Sequence, residues 1–145
     1  MKCKPPLRDA YMTQADPPRP HCPALIICKY ARATPQQLLD LLGVMNAIGI
    51  TQLPADVTFT VHFALTEGEG LYRLALFLEQ PGAGATGGER FQLWSGEATL
   101  RHPAVVHDQA VPVTARFSAP GQCWISLYAN GERVAHRPLS IGKVG

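Results

Sequence analysis

Charge is scarce in this sequence. Only 17% of its 145 residues are Asp, Glu, Lys or Arg, and the formal net charge is +2; about a quarter is usual. The 13 Lys and Arg residues are dispersed. No window holds the run of cations that follows a phosphate backbone, which excludes nucleic-acid binding driven by charge. A lightly charged surface tends to associate, so a protein partner or self-association is expected.

Long apolar runs are missing too. No stretch approaches the roughly 18 residues of a membrane helix. Residues 1–23 have no apolar segment of the secretory type. The expected location is cytoplasmic, with no membrane partner. Cysteine is sparse, at Cys3, Cys22, Cys28 and Cys123, with no Cys-x-x-Cys pair. In a reducing compartment these are expected to be free thiols. No Gly-x-Ser-x-Gly and no Gly-Lys-Ser/Thr is present. The absence of both leaves no nucleophile elbow and no P-loop.

What is present suits one β-rich domain with one core. Apolar residues make up 46%, and Gly and Pro number 13 each, a composition for short strands and many turns. Residues 1–23 hold six prolines: Pro5, Pro6, Pro17, Pro18, Pro20 and Pro23. Proline lacks a backbone donor and fixes φ, so this segment reads as an extended arm before a domain at 24–145. An unstructured tail is the plainer role for it; docking on a partner or a sister subunit is the functional one.

From Ala24 the pattern is strand-like. Ala24 to Tyr30 is a short apolar run. Leu38 to Ala47 reads as a second strand, although Thr34-Pro35 could also cap a helix there. Val57, Phe59, Val61, Phe63 and Leu65 alternate with Thr58, Thr60, His62 and Ala64. Period two predicts the first set buried and the second more exposed. Tyr72, Leu74, Leu76 and Leu78 repeat the pattern. In Phe91 to Leu100, Phe91 and Leu93 share one face and Trp94, Ala98 and Leu100 the other, with a bulge expected at Gly96.

Val111, Val113, Ala115 and Phe117 alternate around Pro112, which points to an edge strand or a bulge. Asn130-Gly131 between two strand patterns predicts a two-residue hairpin turn. Leu127 would then face Val134. An unbroken ladder would bury His136 and Pro138 and expose Leu139 and Ile141, so an irregularity near Arg137-Pro138 is expected.

Ala24-Leu25-Ile26-Ile27-Cys28-Lys29-Tyr30-Ala31-Arg32-Ala33, then Gln37 to Ile48, then Gly131 to Ala135 with Arg137-Pro138-Leu139, together resemble a family of bacterial β-sandwich proteins of unknown function. The resemblance runs over about 24–141. Lys29 stands where the family often has an acidic residue, and Asn46-Ala47 replaces Asp-Arg. The resemblance implies an immunoglobulin-like sandwich and a strand for the second segment. It supplies no catalytic residue.

Four groups could carry chemistry. Gly82-Ala83-Gly84-Ala85-Thr86-Gly87 spells the dinucleotide-binding pattern, but a strand follows rather than a helix, so it reads as a flexible loop. His21, Cys22 and Cys28, with Cys3 as a fourth, are suitable zinc ligands at unsuitable spacing. His102, His107 and Asp108 put imidazole beside carboxylate near Pro103. Trp94, Trp124 and Tyr128 could form an aromatic platform.

The expectation is an all-β, two-sheet antiparallel sandwich of the immunoglobulin-like kind, with a Pro-rich N-terminal arm. Its expected role is a non-catalytic interaction or scaffolding module of a bacterial cytoplasmic assembly, with no catalytic residue, cofactor or metal. The alternatives are a metal-dependent or hydrolytic enzyme built on the His/Cys groups, and carbohydrate or small-ligand binding on an aromatic sheet face.

Overall fold

The computed structural model describes residues 17–36, 38–80 and 89–144. Cys3, most of the proline-rich arm and the Gly82–Gly87 loop lie outside the described residues. Among the described residues nine strands follow in order: β1 His21–Ala33, β2 Leu39–Val44, β3 Ala47–Ile50, β4 Ala55–Thr66, β5 Gly70–Gln80, β6 Glu89–Leu100, β7 His107–Phe117, β8 Gly121–Ala129 and β9 Glu132–Lys143. They form two sheets, ordered β2-β1-β4-β7 and β3-β9-β8-β5-β6. Among the described residues no helix is long and apolar enough to cross a membrane.

The alternating segments behave as period two demands. Phe59, Val61, Phe63 and Leu65 on β4, Tyr72, Leu74, Leu76 and Leu78 on β5, and Val111, Val113, Ala115 and Phe117 on β7 are all buried. They meet Leu25 and Ile27 from β1 and Cys123, Ile125 and Leu127 from β8 in one core. Pro112 sits on β7, an edge of the first sheet, where its missing donor is tolerated.

Three residues of the outward set depart from expectation: Thr60 is 6% exposed, His62 8% and Ala64 6%. The reason is tertiary. β4 is an interior strand, so β1 and β7 wall its outer face on both sides. Val57 of the inward set is only half-buried, near the start of the strand.

The second segment is two strands, not one. Gly43 adopts a φ of 70°, which a residue with Cβ rarely tolerates, and β2 ends beside it. The Met45 amide still donates to the Ile27 carbonyl of β1 at 2.8 Å, while the Asn46 carbonyl accepts from Ser140 of β9 at 3.0 Å. Within one residue the chain passes from the first sheet to the second. β3 then pairs with β9 in parallel, which corrects the all-antiparallel expectation.

Strand β1 begins at His21, inside the segment read as arm, and its register shifts between His21 and Ala24. Pro23 lies in that shift, where no ladder donor is required. The bulge in β6 is also displaced. Leu76 pairs with Trp94 and Phe77 with Gln92, so Leu93 is the extra residue and Gly96 pairs regularly. Phe91 and Trp94 consequently share the core side, contrary to the expected split. In the last hairpin Leu127 pairs with Ala135 rather than Val134. The irregularity falls at Val134, not at Arg137-Pro138. Leu139 and Ile141 are buried and His136 is exposed, as the argued parity change requires.

Candidate functional site

Adjacent residues of a strand face opposite ways, and this separates the polar groups that lie close in sequence. His107 pairs with Leu65 and turns its ring towards Phe63, with centroids 6.2 Å apart. Its Nε2 lies 2.8 Å from Gln109 Oε1. Asp108 faces the other side. There it meets His62, which sequence spacing did not offer: His62 Nε2 lies 2.7 Å from Asp108 Oδ1. His102 stays apart in the connection, where its Nδ1 accepts from the Ala104 amide at 3.1 Å.

An ionised Asp108 can only accept, so His62 Nε2 carries the proton. His62 Nδ1 is buried and without a hydrogen-bond partner. The pair resembles an oriented base. A hydrolytic site would need a hydroxyl or thiol at Nδ1, and none of the described residues supplies one.

The zinc candidates are dispersed along β1. Cys22 and Cys28 are six positions apart in the strand, about 20 Å at a rise of about 3.3 Å. Cys22 Sγ donates to the Ala24 carbonyl at 3.1 Å and packs against the core, whereas Cys28 is buried on the outer face. His21 is exposed. Among the described residues no three His, Cys, Asp or Glu side chains gather as a metal group. Burial raises the Cys22 and Cys28 thiols above the ordinary range and pushes Cys123 up to about 11. Thiols so desolvated are poor nucleophiles at neutral pH.

The aromatic platform is divided as well. Trp94 lies towards the core, 5.9 Å from Phe63, with its ring over Gly96. Trp124 and Tyr128 lie on the outer face of the second sheet. Trp124 stacks on His136 at 4.7 Å. Tyr128 meets the edge of Phe77 at 5.2 Å, and the Arg90 guanidinium lies 4.2 Å from the Phe77 ring and 5.0 Å from that of Tyr128.

At the centre of that face is Glu79. It accepts from the Ser126 hydroxyl and, at 2.8 Å, from Tyr128. Arg133 lies 3.7 Å away. Burial alone would raise the Glu79 carboxyl. The Ser126 and Tyr128 hydrogen bonds, with Arg133 and Arg90, outweigh it and hold the carboxyl below its usual range. A shallow depression of about 290 Å³ lies beside this network, lined by Arg73, Phe77, Arg90 and Tyr128 among others. Glu79, Phe77 and Arg90 were not singled out in the sequence. The available signal was the outward parity of Phe77 and Glu79 between the buried leucines of β5, but only strand pairing brings Arg90 and Ser126 to them.

The outer face of the first sheet is different. Antiparallel partners share a face, so Cys28 lies beside Val44 and Thr60, and Thr60 beside Pro112. Between the Arg32–Asp40 and Arg116–Asp56 pairs at one end and Asp108 at the other, this parity contains no Asp, Glu, Lys or Arg. Tyr30 and Val44 are 55% and 58% exposed on it.

Among curated proteins, none matches the sequence. Among solved structures, a β-glucosidase from Listeria innocua in complex with isofagomine aligns at 10% identity and a TM-score of 0.47, over 85% of this chain and 16% of that one. The Pseudomonas fluorescens alkylpurine DNA glycosylase AlkC, bound to DNA containing an abasic site analog, aligns at 14% identity and a TM-score of 0.47, over 84% of this chain and 30% of that one. Similarity at this level transfers neither fold detail nor activity. The sequence model of a family of unknown function (DUF6941) matches residues 23–142, and the chain belongs to that family.

Proposed function

We propose that this chain is a non-catalytic interaction module, an immunoglobulin-like sandwich that meets a protein partner with the outer face of its four-stranded sheet. The observation that carries the reading is the uncharged expanse across β2, β1, β4 and β7. Ile26, Tyr30, Val44, Thr60, Pro112 and Thr114 lie on one side of that sheet. Tyr30, Val44 and Pro112 are exposed on it, and exposed apolar side chains grouped on one face are a feature of interaction surfaces. A bacterial cytoplasmic assembly is the setting we propose. The sequence resemblance and the free thiols Cys22, Cys28 and Cys123 support it.

The test is a photo-crosslinking amino acid placed at exposed Thr58 or Thr114, compared with Gln92 on the outer face of the second sheet, in the native host. The reading expects discrete protein adducts from the first two positions. Adducts from Gln92 alone, or none at all, would overturn it.

A second reading is small-ligand or carbohydrate binding at the depression beside Tyr128. Phe77, Tyr128 and Arg90 favour it, because an aromatic wall with a charged donor suits a polar ring. Titration with a panel of saccharides, followed by tryptophan fluorescence and thermal shift, tests it. No response at millimolar sugar would exclude it.

A further inference from the structure

We infer that the occupant of the first sheet's outer face is a second copy of this chain, packed face to face about a two-fold axis. The inference rests on reading that face as a protein-binding surface and names the partner.

Three observations select a like partner. An isologous contact sets a surface against itself, so a face with net charge would repel its copy. At one end of the face the charges cancel locally, with Arg32 3.5 Å from Asp40 and Arg116 3.2 Å from Asp56; at the other end Asp108 is held in a hydrogen bond by His62 at 2.7 Å. A cationic or anionic partner would find no unpaired counter-charge within the face.

The threonine hydroxyls of the floor are also satisfied before any partner arrives. The Thr58 and Thr114 hydroxyls hydrogen-bond each other at 2.9 Å, and Thr60 Oγ1 donates to the Lys29 carbonyl at 3.4 Å. Buried polar groups are costly to dry only when they lose their partners. This face can therefore be dried at small cost by an apolar surface, and the exposed Tyr30 and Val44 of a second copy are such a surface.

The area is sufficient for a reversible dimer. Four strands about 4.8 Å apart and some seven residues long give a patch about 20 Å on a side. Covering it on both copies buries about 800 Å², below the standard interface and of the size of weak, reversible contacts. Sheets pack face to face at about 10 Å, which flat positions such as Thr60 and Ala110 allow. A continuation of the sheet through β7 is less suitable, because Pro112 removes a donor from that edge.

The test is sedimentation equilibrium of the full chain from about 1 to 300 µM, a range that brackets the affinity expected of so small an interface. A monomer–dimer equilibrium is expected, unchanged or tighter in high salt. Tyr30→Glu and Val44→Glu should each weaken it at least tenfold, and Gln92→Glu on the other sheet should not. Circular dichroism melts verify that the variants fold. A chain that stays monomeric throughout, or a dimer indifferent to both first-sheet variants, would overturn self-association. Self-crosslinks from Thr58 support the inference, and crosslinks from Thr58 to a different protein in a monomeric chain would sink it while leaving the interaction-module reading intact.

Discussion

Leu127 pairs with Ala135, although its neighbour Tyr128 pairs with Arg133, so Val134 is an extra residue in β9. One inserted residue reverses the facing of all that follow. Leu139 and Ile141 enter the core, and His136 turns out to stack on Trp124. Arg137 acquires the inward parity opposite Ile125 and reaches the Leu25 carbonyl of β1 at 3.2 Å through Nη1.

Deleting Val134 should therefore be far more damaging than replacing it. The deletion would send Leu139 and Ile141 to solvent, each a loss of about 1.5–3 kcal/mol of burial. Val134→Ala, at a half-buried position, should cost about 1 kcal/mol. Urea denaturation of the two variants checks the contrast. A deletion variant as stable as Val134→Ala would show that the bulge does not set the register.

Tyr72 joins the described end of the arm to the core. Its ring is buried, its hydroxyl donates to the Pro18 carbonyl at 2.5 Å and accepts from the Glu69 amide at 2.9 Å. Gly68 is required beneath it, since a Cβ there would come within 2.6 Å of the hydroxyl. Tyr72→Phe keeps the packing and removes both bonds, so a loss of about 1–3 kcal/mol is expected. Cleavage by protease between Pro18 and Cys22 should also quicken. Unchanged cleavage would mean that Pro18 is not held by this bond.

Glu79 should make stability depend on acid. Its folded carboxyl lies below the usual range. A depressed carboxylate contributes stability that is fully present above the unfolded pKa, about 4.3. That contribution is lost as pH falls through the lower folded value. Glu79→Gln should be less stable than the parent at pH 7, and the difference should shrink below about pH 4. Melting temperatures at pH 7, 5, 4 and 3 measure it. A constant difference would show that the carboxylate charge is not what stabilises the network.

Phe59 is fully buried in the wall that β4 presents to the second sheet. Phe59→Ala should cost about 3–5 kcal/mol, the usual loss when a core aromatic is emptied. Denaturant midpoints test it. A cost below about 1.5 kcal/mol would mean that the core collapses around the gap.

The strands of this protein were legible one by one, because alternation is a local property. Val57 to Leu65, Tyr72 to Leu78, Val111 to Phe117 and the Asn130-Gly131 turn each carry their own signal in consecutive residues. Asn130 and Gly131 take positive φ values of 52° and 81°, as the turn chemistry demands. The conflict between Leu127 and Leu139 could even be detected as a parity error within β9, although its exact residue could not.

What the tertiary structure decided was every relation between strands. Thr60 and His62 are buried because β4 acquired neighbours on both sides. Asp108 found His62 rather than His107, Trp94 parted from Trp124 and Tyr128, and Glu79 gathered Ser126 and Arg133. The chain passes from one sheet to the other at Met45 and Asn46 because Ile27 and Ser140 stand on either side to receive their backbone bonds. Strand order and register depend on loop closure and on the packing of two whole sheets. Those are long-range quantities, and a pattern of period two does not encode them.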